Sequence, residues 1–80
     1  MYYVYLLSSQ DYPDKIYVGF TEDLKNRLKV HNSGGSVYTS KYKPWKLESY
    51  LAFRDKGKAL SFEAYLKSHS GRAFANKRFW

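Results

Sequence analysis

The sequence has no cysteine, few acids and no long hydrophobic run. Without cysteine, neither a disulfide nor a thiolate metal site can reinforce the fold, and the expected setting is reducing and cytoplasmic. No apolar stretch approaches the roughly 18 residues that a membrane-spanning helix requires. The opening MYYVYLLSSQ lacks the basic lead and long apolar stretch of an export signal. The expected protein therefore has no membrane partner. Its 80 residues predict a single domain, 1–80. A chain of this size buries only about 60% of its unfolded surface, so its core is small. Aromatic residues, 20% of the chain with nine tyrosines among them, must supply much of that core.

Fourteen Lys and Arg stand against seven Asp and Glu, a net charge of +7. The excess is clustered. Between Leu24 and Leu47 lie Lys25, Arg27, Lys29, Lys41, Lys43 and Lys46 with no acid, and after Glu63 lie Lys67, Arg72, Lys77 and Arg78, again with none. Clustered cations are the electrostatic footprint of a nucleic-acid partner; they also fit a solvated basic surface. No helix combines a broad apolar face with a basic one, which argues against a membrane-surface role.

Residues 2–8 read as a strand, SSQDYPD as a turn and residues 15–20 as a second strand. An antiparallel pairing of the two is expected to set Tyr5 opposite Tyr17 and Tyr3 opposite Gly19. One face is then phenolic, and the other collects Val4, Leu6, Ile16, Val18 and Phe20. A helix follows, with Thr21 as its expected N-cap and Leu24 and Leu28 inward. Arg27 and His31, four residues apart, stack beside that stripe. SVYTSKYKP reads as a polar loop with interleaved Tyr38 and Tyr42. WKLESYLAF alternates as a third strand, with Trp45, Leu47, Leu51 and Phe53 expected on one face. Gly57 is expected to break the chain before a helix with Ala59, Phe62 and Leu66 inward. Gly71 is expected to break it again before a short basic helix. The fold class is α+β: a three-stranded antiparallel sheet flanked by helices, in the order β-β-α-β-α-α.

The polar residues bordering the apolar faces are Tyr5, Tyr17, Arg27, His31 and Glu63. Phosphodiester hydrolysis needs a base for water, a cation for the developing charge and, usually, a metal held by a carboxylate. This set offers all three. Each member also has a plainer reading. The tyrosines suit half-buried strand positions. Arg27 can pair with Asp23, His31 can cap its helix, and Glu63 can pair with Lys67 at i,i+4.

YVY at Tyr3–Tyr5, YVG at Tyr17–Gly19 and DLKNRLKVHNSG after it, followed by TS, PW and FEAYLK, resemble the GIY-YIG nuclease family across essentially the whole chain. The likeness is strongest to small single-domain bacterial members and to the catalytic subunit of structure-specific endonucleases. The resemblance implies a metal-dependent endonuclease acting on DNA, in settings such as DNA repair, with one Mg²⁺ or Mn²⁺ ion. It assigns Tyr5 and Tyr17 to the two motif tyrosines, Arg27 to the helix arginine, His31 to a His-or-Tyr position and Glu63 to the metal carboxylate. Tyr17 is the expected general base, and Tyr5 is expected to position water or phosphate. Lys25, Lys29, Lys41, Lys43, Lys46, Tyr42 and Arg72 are the expected nucleic-acid contacts. Two positions depart from the family: Tyr3 stands where the first motif has Gly, and Phe20 stands where the repair excinucleases carry a lysine able to help ionise the tyrosine. A chain this short leaves no room for an appended targeting domain. Two further readings therefore stand beside a monomeric or weakly dimeric nuclease: a non-catalytic nucleic-acid-binding module, and a nuclease subunit that needs a protein partner for specificity.

Overall fold

The computed structural model describes residues 1–80 throughout. Its elements are β1 (Tyr2–Ser9), β2 (Ile16–Thr21), α1 (Leu24–Asn32), α2 (Val37–Ser40), β3 (Trp45–Phe53), α3 (Lys56–Lys67) and α4 (His69–Arg78). The three strands form one antiparallel sheet in the order β2-β1-β3. The expected class and element order stand, with one addition. The loop after α1 contains the single-turn helix α2, because Val37–Ser40 close one helical turn before Tyr42 and Pro44 lead into β3.

Central β1 is buried from Val4 to Ser9 because both faces of the sheet are covered. On one face Val4, Leu6 and Val18 pack with Ala59, Leu66 and Ala75 from α3 and α4. On the other, Tyr5, Leu7 and Trp45 pack with Leu24 and Leu28 from α1. Phe62 packs at the edge of the first core, and Trp45 is buried in the second.

The β1–β2 register differs from the expected one. Tyr5 lies opposite Gly19, Tyr17 opposite Leu7 and Tyr3 opposite Thr21. The difference is two residues, an even number, so every side chain keeps its expected face. The expected pairing would have set Pro13 against Ser9, where proline has no N–H for the ladder. In the observed register Pro13 stays in the turn, and the Ser9 N–H donates to the Lys15 carbonyl (3.0 Å). Gly19 is then required beneath the Tyr5 ring, since a Cβ there would overlap the phenol.

Strand β3 corrects a second expectation. Leu6 pairs with Ser49 and Leu7 with Leu47, so Glu48 is an extra, bulged residue. A bulge reverses the alternation. Trp45 and Leu47 therefore face α1, while Leu51 and Phe53 face α3 and α4, rather than all four sharing a side. The Glu48 carboxylate is held by the Ser8 hydroxyl (2.5 Å) and by Lys46 (3.7 Å).

The helix starts are also shifted. Asp23, not Thr21, caps α1 by accepting from the Asn26 N–H (3.2 Å). Thr21 ends β2 and accepts from the Asp23 N–H instead (3.0 Å). Gly57 lies inside the first turn of α3, which Asp55 caps through the Lys58 N–H (2.8 Å). The break between α3 and α4 falls at Ser68, in extended backbone, and its hydroxyl caps α4 at Gly71 (3.1 Å). Gly71 is helical rather than a breaker; a side chain there would run into the Tyr65 carbonyl, so glycine permits the close approach of α4 to the end of α3.

Candidate active site

The site forms where the phenolic face of the sheet meets α1. Tyr5 comes from the central strand, Tyr17 from the neighbouring edge strand, and Arg27 and His31 from successive turns of α1. Leu24 and Leu28 dock α1 on the sheet, which turns the adjacent Arg27–His31 stripe toward the tyrosines. The Tyr5 hydroxyl lies 2.8 Å from His31 Nε2. The Arg27 Nε–H donates to the same hydroxyl oxygen at 3.4 Å. The Tyr17 ring stands edge-on to His31 at 4.9 Å between centroids, and 6.3 Å from the Tyr5 ring.

Tyr5 is 1% exposed and His31 0%. A phenol that far from water needs an acceptor for its hydrogen. The oxygen already accepts from Arg27, and the acceptor in reach is His31 Nε2. Satisfaction of these bonds puts the ring proton on Nδ1, which donates to Thr39 Oγ1 (2.9 Å). Thr39, from α2, is fully buried, and its carbonyl accepts from Trp45 Nε1 (2.8 Å). Asn32, one residue after His31, bonds both the N–H and the carbonyl of Trp45 (2.5 and 3.2 Å). The imidazole is thus braced from α2 and β3.

Electrostatics follow from this burial. Burial pushes the Tyr5 phenol up, against the opposing pull of the Arg27 hydrogen bond, and the charges of Tyr17 and Glu63 push it further up. Burial pulls the His31 imidazole down, and the Arg27 charge adds to the effect, so the neutral ring is favoured. The bond to Tyr5 strengthens the hold of Arg27 on its proton.

Glu63 lies on α3 and is linked to Tyr17 through Lys67. Its carboxylate accepts from Lys67 Nζ at 3.0 Å, and its side chain is 19% exposed. That ammonium also sits 5.9 Å above the Tyr17 ring. The other expected contacts are spread out. Lys25 and Lys29 are exposed on α1 beside a shallow depression. Lys41 and Lys43 are exposed around the end of α2, and Lys46 is paired with Glu48. Tyr42 is half-buried, edge-on to Tyr12 (5.4 Å) and against Tyr38 (5.5 Å), with Lys15 above it (5.4 Å). Tyr38, 45% exposed, is the aromatic that α2 presents, stacked on Tyr17 at 6.1 Å. Arg72 lines the same cavity as Tyr17 and Lys67.

Sequence reasoning passed over Thr39, Asn32, Tyr38 and Lys67 as site neighbours. Reading residues 36–44 as a solvated loop left no reason to bury a threonine there. For Lys67 the sequence offers a pairing with Glu63 and a place in the C-terminal basic cluster, but no contact with Tyr17.

The chain is thus a three-stranded antiparallel α+β domain that gathers two strand tyrosines with an arginine and a histidine from one helix. The GIY-YIG catalytic domain profile matches residues 1–78, and the chain belongs to that family. It is 41% identical over 68 residues to a UPF0213 protein of Clostridium perfringens, covering 84% of this chain and 71% of that protein. It is 43% identical over 67 residues to a UPF0213 protein of Lacticaseibacillus paracasei (82% and 73% covered). It is 42% identical over 66 residues to one of Streptococcus pneumoniae, of which it spans 65% while 81% of this chain is covered. The fold is similar to the solution NMR structure of a UPF0213 protein from Bacillus halodurans, with a TM-score of 0.57, 33% identity, and 96% of this chain and 84% of that chain covered.

Proposed function

We propose that this domain is a metal-dependent endonuclease that hydrolyses DNA phosphodiester bonds. The observation that carries the reading is the convergence of Tyr5, Tyr17, Arg27 and His31 from three elements onto one spot. Tyr17 acts as the general base. It borders an open cavity, whereas Tyr5 is enclosed and its phenol is held protonated by burial. The Lys67 ammonium lies 5.9 Å from the centre of the Tyr17 ring, which sets a cation beside this tyrosine where Phe20 offers none.

Tyr5 and His31 serve Arg27. Their bonded pair fixes the Nε side of the guanidinium and leaves its outer nitrogens for a non-bridging phosphate oxygen, where charge grows in the transition state. Glu63 would hold the one Mg²⁺ or Mn²⁺ ion. A single carboxylate suits a hard cation that keeps most of its water and takes further oxygens from the substrate phosphate, and Glu63 is close enough for its charge to act on Tyr5. The bound ion would supply Lewis-acid stabilisation of the phosphate and of the leaving oxygen. Cleavage of labelled DNA by the wild type and by Tyr17→Phe tests this reading; the variant is expected to lose cleavage while still binding DNA.

One observation favours a second reading, a non-catalytic binding module or a subunit completed by a partner. The Glu63 carboxylate is already paired with the Lys67 ammonium at 3.0 Å. Metal-independent DNA binding without cleavage is the behaviour that reading expects.

A further inference from the structure

Along the outer edge of β2, on the side of Tyr17 facing away from β1, runs a cavity of about 530 Å³ lined by Lys15, Tyr17, Tyr38, Lys67, Arg72 and Trp80, among others. Its volume lies within the roughly 300–1,000 Å³ range of small-molecule sites. Lys15, Lys67 and Arg72 line it beside Asp14, and Lys67 is paired with Glu63 at 3.0 Å. Neither Lys15 nor Arg72 forms an ion pair with any acid of the chain. Lys15 is held by its position over the Tyr42 ring and Lys67 by its position over Tyr17, so two of the three ammonium and guanidinium groups are braced by aromatic faces. The aromatic wall is continuous. Tyr17 and Tyr38 are stacked at 6.1 Å with 28° between their planes, and Tyr38 keeps an exposed side. Trp80 contributes an indole whose buried Nε1–H has no hydrogen-bond partner.

Two cations without an acidic partner, Lys15 and Arg72, next to a stacked, half-open aromatic pair match two chemistries joined in one ligand: an oxyanion and a flat π-system. We propose that this cavity is a nucleotide subsite, with the phosphate seated between Lys15, Lys67 and Arg72 and the base laid against Tyr38. The inference deepens the endonuclease reading and rests on it for its biological role. Tyr17 and Lys67 belong to both places, so a nucleotide held there lies beside the scissile phosphate. The subsite assigns Lys15 and Tyr38 to substrate contact and replaces Tyr42 as the stacking residue.

The test is an amide-resolved NMR titration with thymidine 5′-monophosphate, with inorganic phosphate and thymidine run separately, all without divalent metal. The nucleotide is expected to shift the amides of residues at the cavity and to bind more tightly than either fragment. Arg72→Gln and Lys15→Gln, both at the cavity rim, are expected to weaken it about tenfold each, as loss of a hydrogen bond to a charged group does. Tyr38→Ala is expected to weaken the nucleotide roughly fivefold or more, and to leave inorganic phosphate unchanged. Shifts confined to α1 around Lys25 and Lys29, equal affinity for phosphate and nucleotide, or affinities indifferent to all three substitutions would each overturn the proposal. The probe has no phosphodiester to cut, so the two readings fail separately. Nucleotide binding at the cavity in a protein that cleaves nothing would keep the subsite and remove the nuclease. Cleavage with no shifts at the cavity would do the reverse.

Discussion

The Tyr5 hydroxyl and His31 Nε2 lie 2.8 Å apart with both side chains closed off from solvent. A neutral imidazole in that position has a consequence for stability. The folded protein holds His31 below its ordinary value, chiefly by burial. Between the folded and unfolded values the unfolded chain binds the extra proton, so stability rises with pH there. The His31 contribution is complete above about pH 6.5, the ordinary histidine value, and is lost as pH falls below it. Urea midpoints measured from pH 5 to 8 are expected to drop on the acid side in the wild type. His31→Gln is expected to be less stable at neutral pH and to show a flatter acid limb. Equal acid limbs in both proteins would contradict the neutral, buried imidazole.

Thr39 is a positioning residue, since it acts through His31 Nδ1. Thr39→Val keeps the shape and removes the acceptor, which leaves a buried N–H unpaired at a cost of about 1–3 kcal/mol. Moving the ring proton to Nε2 would not relieve the loss, because the buried Tyr5 O–H would then lack its acceptor. Urea unfolding is expected to show the cost in Thr39→Val and its recovery in Thr39→Ser. A valine variant as stable as the wild type would show that Thr39 merely fills space.

Gly19→Ala places a methyl where the Tyr5 ring crosses β2. The ring must move, and overpacking of this kind costs about 1–3 kcal/mol. Thermal unfolding is expected to show that loss, together with weakened coupling between Tyr5 and His31. A variant as stable as the wild type would mean that the ring does not need the gap.

Lys67 is the cation that a metal at Glu63 would have to displace. Lys67→Met is therefore expected to tighten Mn²⁺ binding. The pair is partly exposed, so the gain is modest, roughly two- to fivefold, as expected for a pair worth under about 1 kcal/mol. Isothermal titration in the absence of DNA measures it, and Glu63→Gln is the control that should abolish the same heat. Weaker Mn²⁺ binding in Lys67→Met would remove Glu63 from the metal role.

How much was legible beforehand varies with the kind of contact. The strands, the long helices and the apolar partners of β1 follow from periodicity, since Val4, Leu6, Val18, Leu24 and Leu28 alternate or recur at the right spacing. The register was off by two because alternation fixes parity alone; the absence of an N–H on Pro13 decides the rest. The Glu48 bulge left no trace in the pattern, as WKLESYLAF alternates on paper whether or not its face reverses. Tyr5, Tyr17, Arg27 and His31 could be collected from spacing and family likeness. Thr39 could not, because its burial depends on α2, a single turn inside a stretch whose composition reads as loop. Lys67 was visible as a neighbour of Glu63 and as one of a basic cluster; its position over Tyr17 depends on how α3 crosses the edge of the sheet.

The measurement that tests the central claim most directly is cleavage of a labelled panel of duplex, flapped and single-stranded DNA and RNA with Mg²⁺ or Mn²⁺. It compares the wild type with Glu63→Ala and Arg27→Ala. The account expects metal-dependent cutting of DNA that disappears in both variants while their folds persist. Nucleic-acid binding with no cutting, unchanged by Glu63→Ala, would contradict it and leave a domain that holds nucleic acid without hydrolysing it.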